Sequence, residues 1–266
     1  MRLAARTWDM HDAGLEQLRV FAERSGGPSR SLVVLNSSEP APLPRLLEQA
    51  FEAQNVTVEV TRDVEEVTDL VVLVVDGEVV ASSSLDELMD AYLLVNSDLY
   101  RTGTSGIDKY AAPEVLTGLH DTSFRLRGFP HSNKEKLLLV LISRHIESLA
   151  LDAGDGTLRS SFQRLSRLDD ERGTREVYER LGDTDVDTHV YGVPDIDREM
   201  LPDAVDVHGG RTPVHRDSWF VVFDSPNGEG EPAALVAIEE AENEWLGRWT
   251  FDAEQVAEVA DVVADI

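Results

Sequence analysis

The chain has 266 residues, no cysteine, and a formal charge of -27 from 51 acidic and 24 basic residues. That length suits one large domain or two small ones, and a hydrophobic content of 42% excludes a disordered chain. The lack of cysteine excludes a disulfide framework and cysteine-ligated zinc.

Lysine occurs only at Lys109, Lys134 and Lys136, the other basic residues being arginine. An acidic, lysine-poor composition of this kind predicts a halophilic cytosolic protein. So much like charge opposes compaction in dilute buffer. At about 1 M salt the Debye length shrinks to ~3 Å and the repulsion is screened. The same charge disfavours direct nucleic-acid binding, which draws its affinity from neutralised phosphates. Charged residues interrupt every apolar run near the N-terminus, so no leader is expected. No apolar run is longer than Leu137 to Ile142, which is far short of the ~20 residues of a spanning helix. The expectation is a soluble, cytoplasmic protein with no membrane contact.

Residues 12–24 carry Leu15, Leu18, Phe21 and Ala22 on one helical stripe. Ser25 to Ser29, with two glycines and a proline, break that helix, so residues 1–28 read as a helix and linker. Residues 29–100 then predict a small α/β domain. Ser31–Asn36 is an apolar strand. Pro42 and Pro44 can open a helix with Leu46, Leu47, Ala50 and Phe51 on its apolar face. Val56, Val58 and Val60 alternate with polar residues as a second strand. Leu70–Val75 and Glu78–Ala81 flank Asp76-Gly77, a hairpin signal because glycine supplies positive φ. Ser84 and Glu87 form a capping box that starts another helix.

Residues 101–123, rich in Gly, Thr, Asp and Pro, predict a connector with a helical turn near Pro113–Leu119. Gly103-Thr104-Ser105-Gly106 lacks the lysine of a phosphate-binding loop and does not follow a strand. Residues 124–266 predict a second domain. Ser132 and Glu135 form a capping box for a helix reaching about Leu151, with Leu138, Leu141, Ile142, His145 and Leu149 on one stripe. Leu158, Phe162, Leu165 and Leu168 again have helical spacing, and Thr174 can cap a helix carrying Val177, Tyr178 and Leu181. Strands are expected at Val186–Val193, Ala204–His208, Ser218–Asp224, Ala233–Glu239 and 245–251. Asp252 with Gln255 caps a last helix. The fold class is therefore α/β and α+β: a small N-terminal sheet with helices, then a C-terminal antiparallel sheet flanked by helices.

FRLRGFPHSNKEKLLLVLISRHIE (124–147), SFQRLSRLDDERGTREVYERL (161–181), DVDTHVYGVPD (185–195), DSWFVVF (217–223) and NEWLGRWTFD (243–252) together resemble the DICT sensory domain in its haloarchaeal form. The resemblance is strongest over 120–266; LLVNSDLYRTGTSGID (93–108) is similar to the region preceding the domain in haloarchaeal relatives. It implies a small α+β sensory module of the kind found beside diguanylate cyclases, histidine kinases and other two-component parts, with a proposed link to light response. It transfers no catalytic or ligand residues. The chain shows no kinase nucleotide-binding region, no cyclase loop and no helix-turn-helix, so output would pass through a signalling or regulatory partner or the N-terminal domain.

The residues themselves suggest where recognition could occur. Residues 124–180 hold 11 basic and 9 acidic residues, a balance of +2, against -29 for the remainder. Arg164 and Arg167 share a helix face under the helical reading, and Arg172 and Arg175 flank Gly173. Arginine's planar fork suits phosphate or carboxylate; the competing reading pairs these arginines with Asp169, Asp170, Glu171, Glu176 and Glu179. Arg144 and His145 lie on the helix within this stretch. His189 and Tyr191 share a strand face, and Trp219 opens an apolar strand; Tyr191 and Trp219 are candidates to line a pocket. His208 and His215 add to the histidines, but no pair has a metal-site spacing, so no metal is predicted. No Gly-x-Ser-x-Gly elbow, cysteine or assembled acid, base and nucleophile exists, so no catalytic residue and no enzyme activity are predicted, and no cofactor is identified.

The expected function is a cytosolic sensor that recognises a small ligand or partner protein and relays a conformational change. The rival is a docking module of a two-component or transcriptional regulatory system with no small ligand. The charge makes its own prediction: the melting temperature rises steeply from low to multimolar KCl. Equal stability at both would refute the halophilic reading.

Overall fold

The computed structural model describes residues 2–24, 27–38, 42–52, 54–62, 64, 67–91, 112–128, 135–170, 172–225 and 230–266, with side chains described from residue 13 onward except at 42–44, 46, 170 and 172. The first elements are α1 (Arg2–Glu23), β1 (Arg30–Leu35), α2 (Pro42–Phe51), β2 (Val56–Thr61), β3 (Leu70–Val75), β4 (Glu78–Ser84) and α3 (residues 85–91). Then come α4 (Glu114–Thr117), β5 (Phe124–Arg127), α5 (Glu135–Ala153), β6 (Asp155–Arg164), α6 (Arg167–Asp170), α7 (Arg172–Leu181) and β7 (Asp185–Val193). The chain closes with β8 (Asp206–Gly209), α8 (Pro213–Asp217), β9 (Ser218–Asp224), β10 (Ala233–Ala241), β11 (Glu244–Thr250) and α9 (Ala253–Ala264).

The strands form two sheets flanked by helices. The smaller has the order β2-β1-β3-β4, and the larger has seven strands in the order β5-β11-β10-β9-β6-β7-β8. Several local signals are realised. Asp76 and Gly77 sit at φ 49° and 87°, as the expected tight hairpin turn requires. The Ser84 amide donates to Glu87 Oε2 at 2.6 Å while the Glu87 amide donates to Ser84 Oγ at 3.1 Å, completing the capping box. Asp252 Oδ1 accepts from the Gln255 amide at 3.0 Å and starts α9.

The larger sheet differs from expectation at one edge. From β5 to β6 its pairings are antiparallel, as expected, but β6-β7-β8 run parallel. The reason is that residues 155–164 are a strand and not the first part of a helix. Leu158 and Phe162 stand four residues apart, a spacing that puts them on one face of a strand as well as of a helix, while Leu165 and Leu168 lie beyond the strand. With β6 a strand, α6 and α7 become the crossover that parallel strands need. A bulge between Ser161 and Arg164, with Gln163 at φ 61°, ends β6 and turns the chain into α6. The expected Ser132 cap lies outside the described residues. Instead, buried Glu135 accepts from the Arg127 amide at 2.7 Å and from Arg127 Nη2 at 2.6 Å, tying the start of α5 to β5.

Both faces of the large sheet are covered. On β9, Val221 and Phe223 pack with Leu139, Ile142 and Ile146 of α5. Phe220 and Val222 pack with Leu18 and Phe21 of α1 and with Val256, Val259 and Val263 of α9. The N-terminal helix thus covers β10 and β11, which lie more than 200 residues away in sequence, an arrangement unreadable from 1–28 alone. Arg248 on β11 holds it there: its Nη2 donates to Asp121 at 2.7 Å and Gln255 at 2.9 Å, and its guanidinium lies 4.6 Å from the Phe21 ring centre.

One hydrophobic cluster runs from Leu32, Val34 and Leu73 of the small sheet to Phe124 and Trp249 of the large one. The part of the expected connector at 101–111 lies outside the described residues. After it, α4 and Leu119 pack into this cluster, and Trp249 Nε1 donates to the Thr117 carbonyl at 3.2 Å. Phe124 stacks on Trp249 with ring centres 4.9 Å apart and meets Phe51 edge-on at 6.3 Å. Phe124→Ala should therefore cost about 3–5 kcal/mol in denaturant unfolding at high salt. A loss below ~1 kcal/mol would mean that this ring does not join the sheets.

Candidate functional site

Two clusters of polar side chains stand out, both on the seven-stranded sheet. The first lies between α5, the β6–β9 ladder and the start of α7. It surrounds a cavity of about 60 Å³ lined by Val140, Ser143, Arg144, Glu147, Ser161, Phe162, Arg167, Thr174, Trp219 and Val221. Arg144 and Glu147 are three residues apart on α5, so both project toward α7. They form an ion pair through Arg144 Nη1, with side chains only 7% and 2% exposed. Arg144 Nη2 donates to Thr174 Oγ1, and the Tyr178 hydroxyl donates to Glu147 Oε1 at 3.2 Å. Burial, and then the charge of Glu147, push the Tyr178 phenol well above its ordinary pKa. Thr174, expected to cap α7, instead sits in its first turn as a partner for Arg144.

Trp219 closes the cavity from β9. Its Nε1 donates to Ser143 Oγ at 3.1 Å, and its ring meets Trp245 edge-on at 6.0 Å. The Lys136 ammonium lies 5.2 Å from the Trp219 ring centre and 5.3 Å from that of Trp245. On the same helix, His145 turns away to pack its ring against Phe251 at 5.7 Å, and burial lowers its pKa.

The arginine stretch divides. Arg167 Nη1 donates to Gln163 Oε1 at 3.0 Å beside the cavity. Arg164 does not share a helix face with it, because Arg164 ends β6; it is 70% exposed and 3.9 Å from Asp195. Arg175 pairs with Asp169 and Glu179 and donates to the Met200 carbonyl, so its fork is occupied within the chain, as the competing reading proposed. The Arg172 side chain lies outside the described residues.

The second cluster is at the β7–β8 edge. Asp187, His189 and Tyr191 alternate along one face of β7. The parallel register sets Asp206 beside His189 and His208 beside Tyr191. His189 Nε2 is 3.0 Å from Asp187 Oδ2, and its Nδ1 is 3.0 Å from His208 Nε2. Tyr191 stacks on His208 with ring centres 4.4 Å apart and also packs on Phe220, so it belongs here and not to the cavity under Trp219. Burial, followed by the charge of His189, lowers the His208 pKa. Asp187, His189 and Asp206 are able to offer ligand atoms to one ion. Sequence spacing gave no sign of this, because Asp206 and His208 arrive from another strand; only the Asp-x-His-x-Tyr alternation hinted at one half of it.

The comparisons show what part of the chain is similar to a known family. Residues 114–240 match the model of the DICT family. That family is described as a sensory domain in diguanylate cyclases and two-component systems. The DICT match runs from α4 into β10 and contains the cavity lining and the β7–β8 cluster, while α1, β11 and α9 fall outside it. A search of curated proteins finds no match. Among solved structures, a polyphosphate kinase from Porphyromonas gingivalis aligns at 9% identity with a TM-score of 0.31. The alignment covers 96% of this chain and 48% of the kinase chain, so this chain spans about half of that protein's length. Among the described residues, no helix is long and apolar enough to cross a membrane.

The buried pair makes a direct prediction. Arg144→Met leaves the Glu147 carboxylate buried without its cation and should cost about 3–5 kcal/mol. The double variant Arg144→Met/Glu147→Met should recover most of that loss. Unfolding curves for the three proteins check this; additive losses would show that the two side chains do not act as a pair.

Proposed function

We propose that the protein is a halophilic, cytoplasmic signal-transduction sensor without catalytic activity of its own, whose DICT segment recognises a small ligand in the cleft under Trp219. The observation that carries this reading is the cavity itself: one aromatic wall, one buried ion pair, and contacts from both α5 and α7. A cavity of about 60 Å³ holds a water or two. Small-molecule pockets usually measure roughly 300–1,000 Å³. A ligand of several atoms must therefore displace α6 and α7, and an acceptor group on it would compete with Thr174 for Arg144. Its differential affinity for the opened state would shift the population between two arrangements of α7. That shift is what a signalling or regulatory partner would read.

One observation favours the alternative of a docking module with no small ligand. Arg164 is exposed and only loosely paired with Asp195, in an otherwise strongly acidic protein. An acidic partner surface could engage it.

Native mass spectrometry of the full chain, isolated from its source cells at high salt, tests both readings. The ligand reading expects a retained small molecule whose mass increment disappears in Trp219→Ala. A bare chain that carries a protein partner, lost in Arg164→Glu, would replace it with docking. A bare chain with neither would refute both.

A further inference from the structure

We infer that the β7–β8 edge is a binding site for a divalent transition cation of the zinc type, held by Asp187, His189 and Asp206. Their ligand atoms lie within 4.8 Å of one another, and two of them, His189 Nε2 and Asp187 Oδ2, are already 3.0 Å apart. Zinc bonds nitrogen and carboxylate oxygen at about 2.0–2.2 Å, so tetrahedral ligand atoms stand ~3.4 Å from each other. The first pair needs almost no movement. The Asp206 carboxylate must close the rest, which an exposed side chain on an edge strand can do by changing rotamer.

The surroundings of His189 are those of an oriented ligand. A metal-bound imidazole uses its second nitrogen in a hydrogen bond that fixes its tautomer and angle. Here His189 Nδ1 meets His208 Nε2 at 3.0 Å, which leaves Nε2 directed at Asp187. His208 is itself held by the Tyr191 ring, stacked at 11° to it, and Tyr191 is anchored in the core against Phe220. The orientation of His189 is thus set from the protein interior, while Asp187, 62% exposed, opens the site to solvent. Arg159, the register partner of His189 on β6, is a neighbouring cation. Two carboxylates outweigh it, so the empty site carries net negative charge. A nitrogen-and-oxygen donor set suits zinc, cobalt or nickel better than calcium or magnesium, which prefer all-oxygen shells. Three protein ligands leave a fourth position for water.

The inference is independent of the ligand reading, since it uses none of the residues around Trp219. It is tested on the untagged full chain in multimolar KCl. Zinc is titrated by calorimetry, and cobalt by its visible absorption, which reports coordination number. Saturable binding of one ion per chain is expected, lost in His189→Ala and in Asp206→Asn. His208→Ala should weaken it about tenfold or more, the usual cost of removing an orienting partner. Asp86→Asn, on the smaller-sheet side of the molecule, should bind as the parent does. Circular dichroism confirms that each variant is folded. No saturable binding, or equal binding in the His189 and Asp206 variants, would overturn the site and leave diffuse association with the acidic surface.

Discussion

The seven-stranded sheet is buried on both faces, and most of the structure follows from that. A strand covered on both sides must be apolar at nearly every position. Ser218–Asp224 and Ala233–Ala241 meet that demand, sending alternate side chains to α5 on one face and to α1, α8 and α9 on the other. The second face could not be closed by the helices that follow the sheet in sequence, because α9 alone is too narrow. It is closed by bringing back the N-terminal helix, pinned by the Arg248 guanidinium against Phe21, Asp121 and Gln255.

This double cover decides where polar chemistry is tolerated. Between α5 and α7, charge is held in the closed Arg144, Glu147, Thr174 and Tyr178 group, because an unpaired charge there would be costly. Such a group links α5 to α7 through a few directional bonds. That suits a sensory segment. At the other end of the sheet, β8 is an edge strand with one exposed side, so ionisable groups can gather with less desolvation than in the interior. The Asp187, His189, Asp206 and His208 set occupies that margin, backed by Tyr191 from the core.

Local features of the fold were legible where one short-range interaction decides them. The Asp76-Gly77 turn, the Ser84 capping box and the Asp252 cap all form as read. Residues 155–164 were misread because Leu158 and Phe162, four apart, share a face in a strand as they would in a helix, and pairing with β7 and β9 broke the tie. That error also placed Arg164 and Arg167 on one helix face, when a bulge at Gln163 separates them. Among candidate site residues, Arg144 and Trp219 do converge on one cavity, whereas His145 faces Phe251 and Arg175 is taken up by Asp169 and Glu179.

The sequence by itself determined the α/β class, the DICT resemblance of the second half, most strands and caps, and an acidic surface, because these depend on composition, periodicity and neighbours a few residues apart. Only the tertiary structure decided that the first helix belongs to the last sheet, that β6, β7 and β8 run parallel, and that Asp206 and His208 stand beside His189 and Tyr191. Those outcomes rest on register and on which surfaces must be covered together, and neither is written in any local stretch of chain.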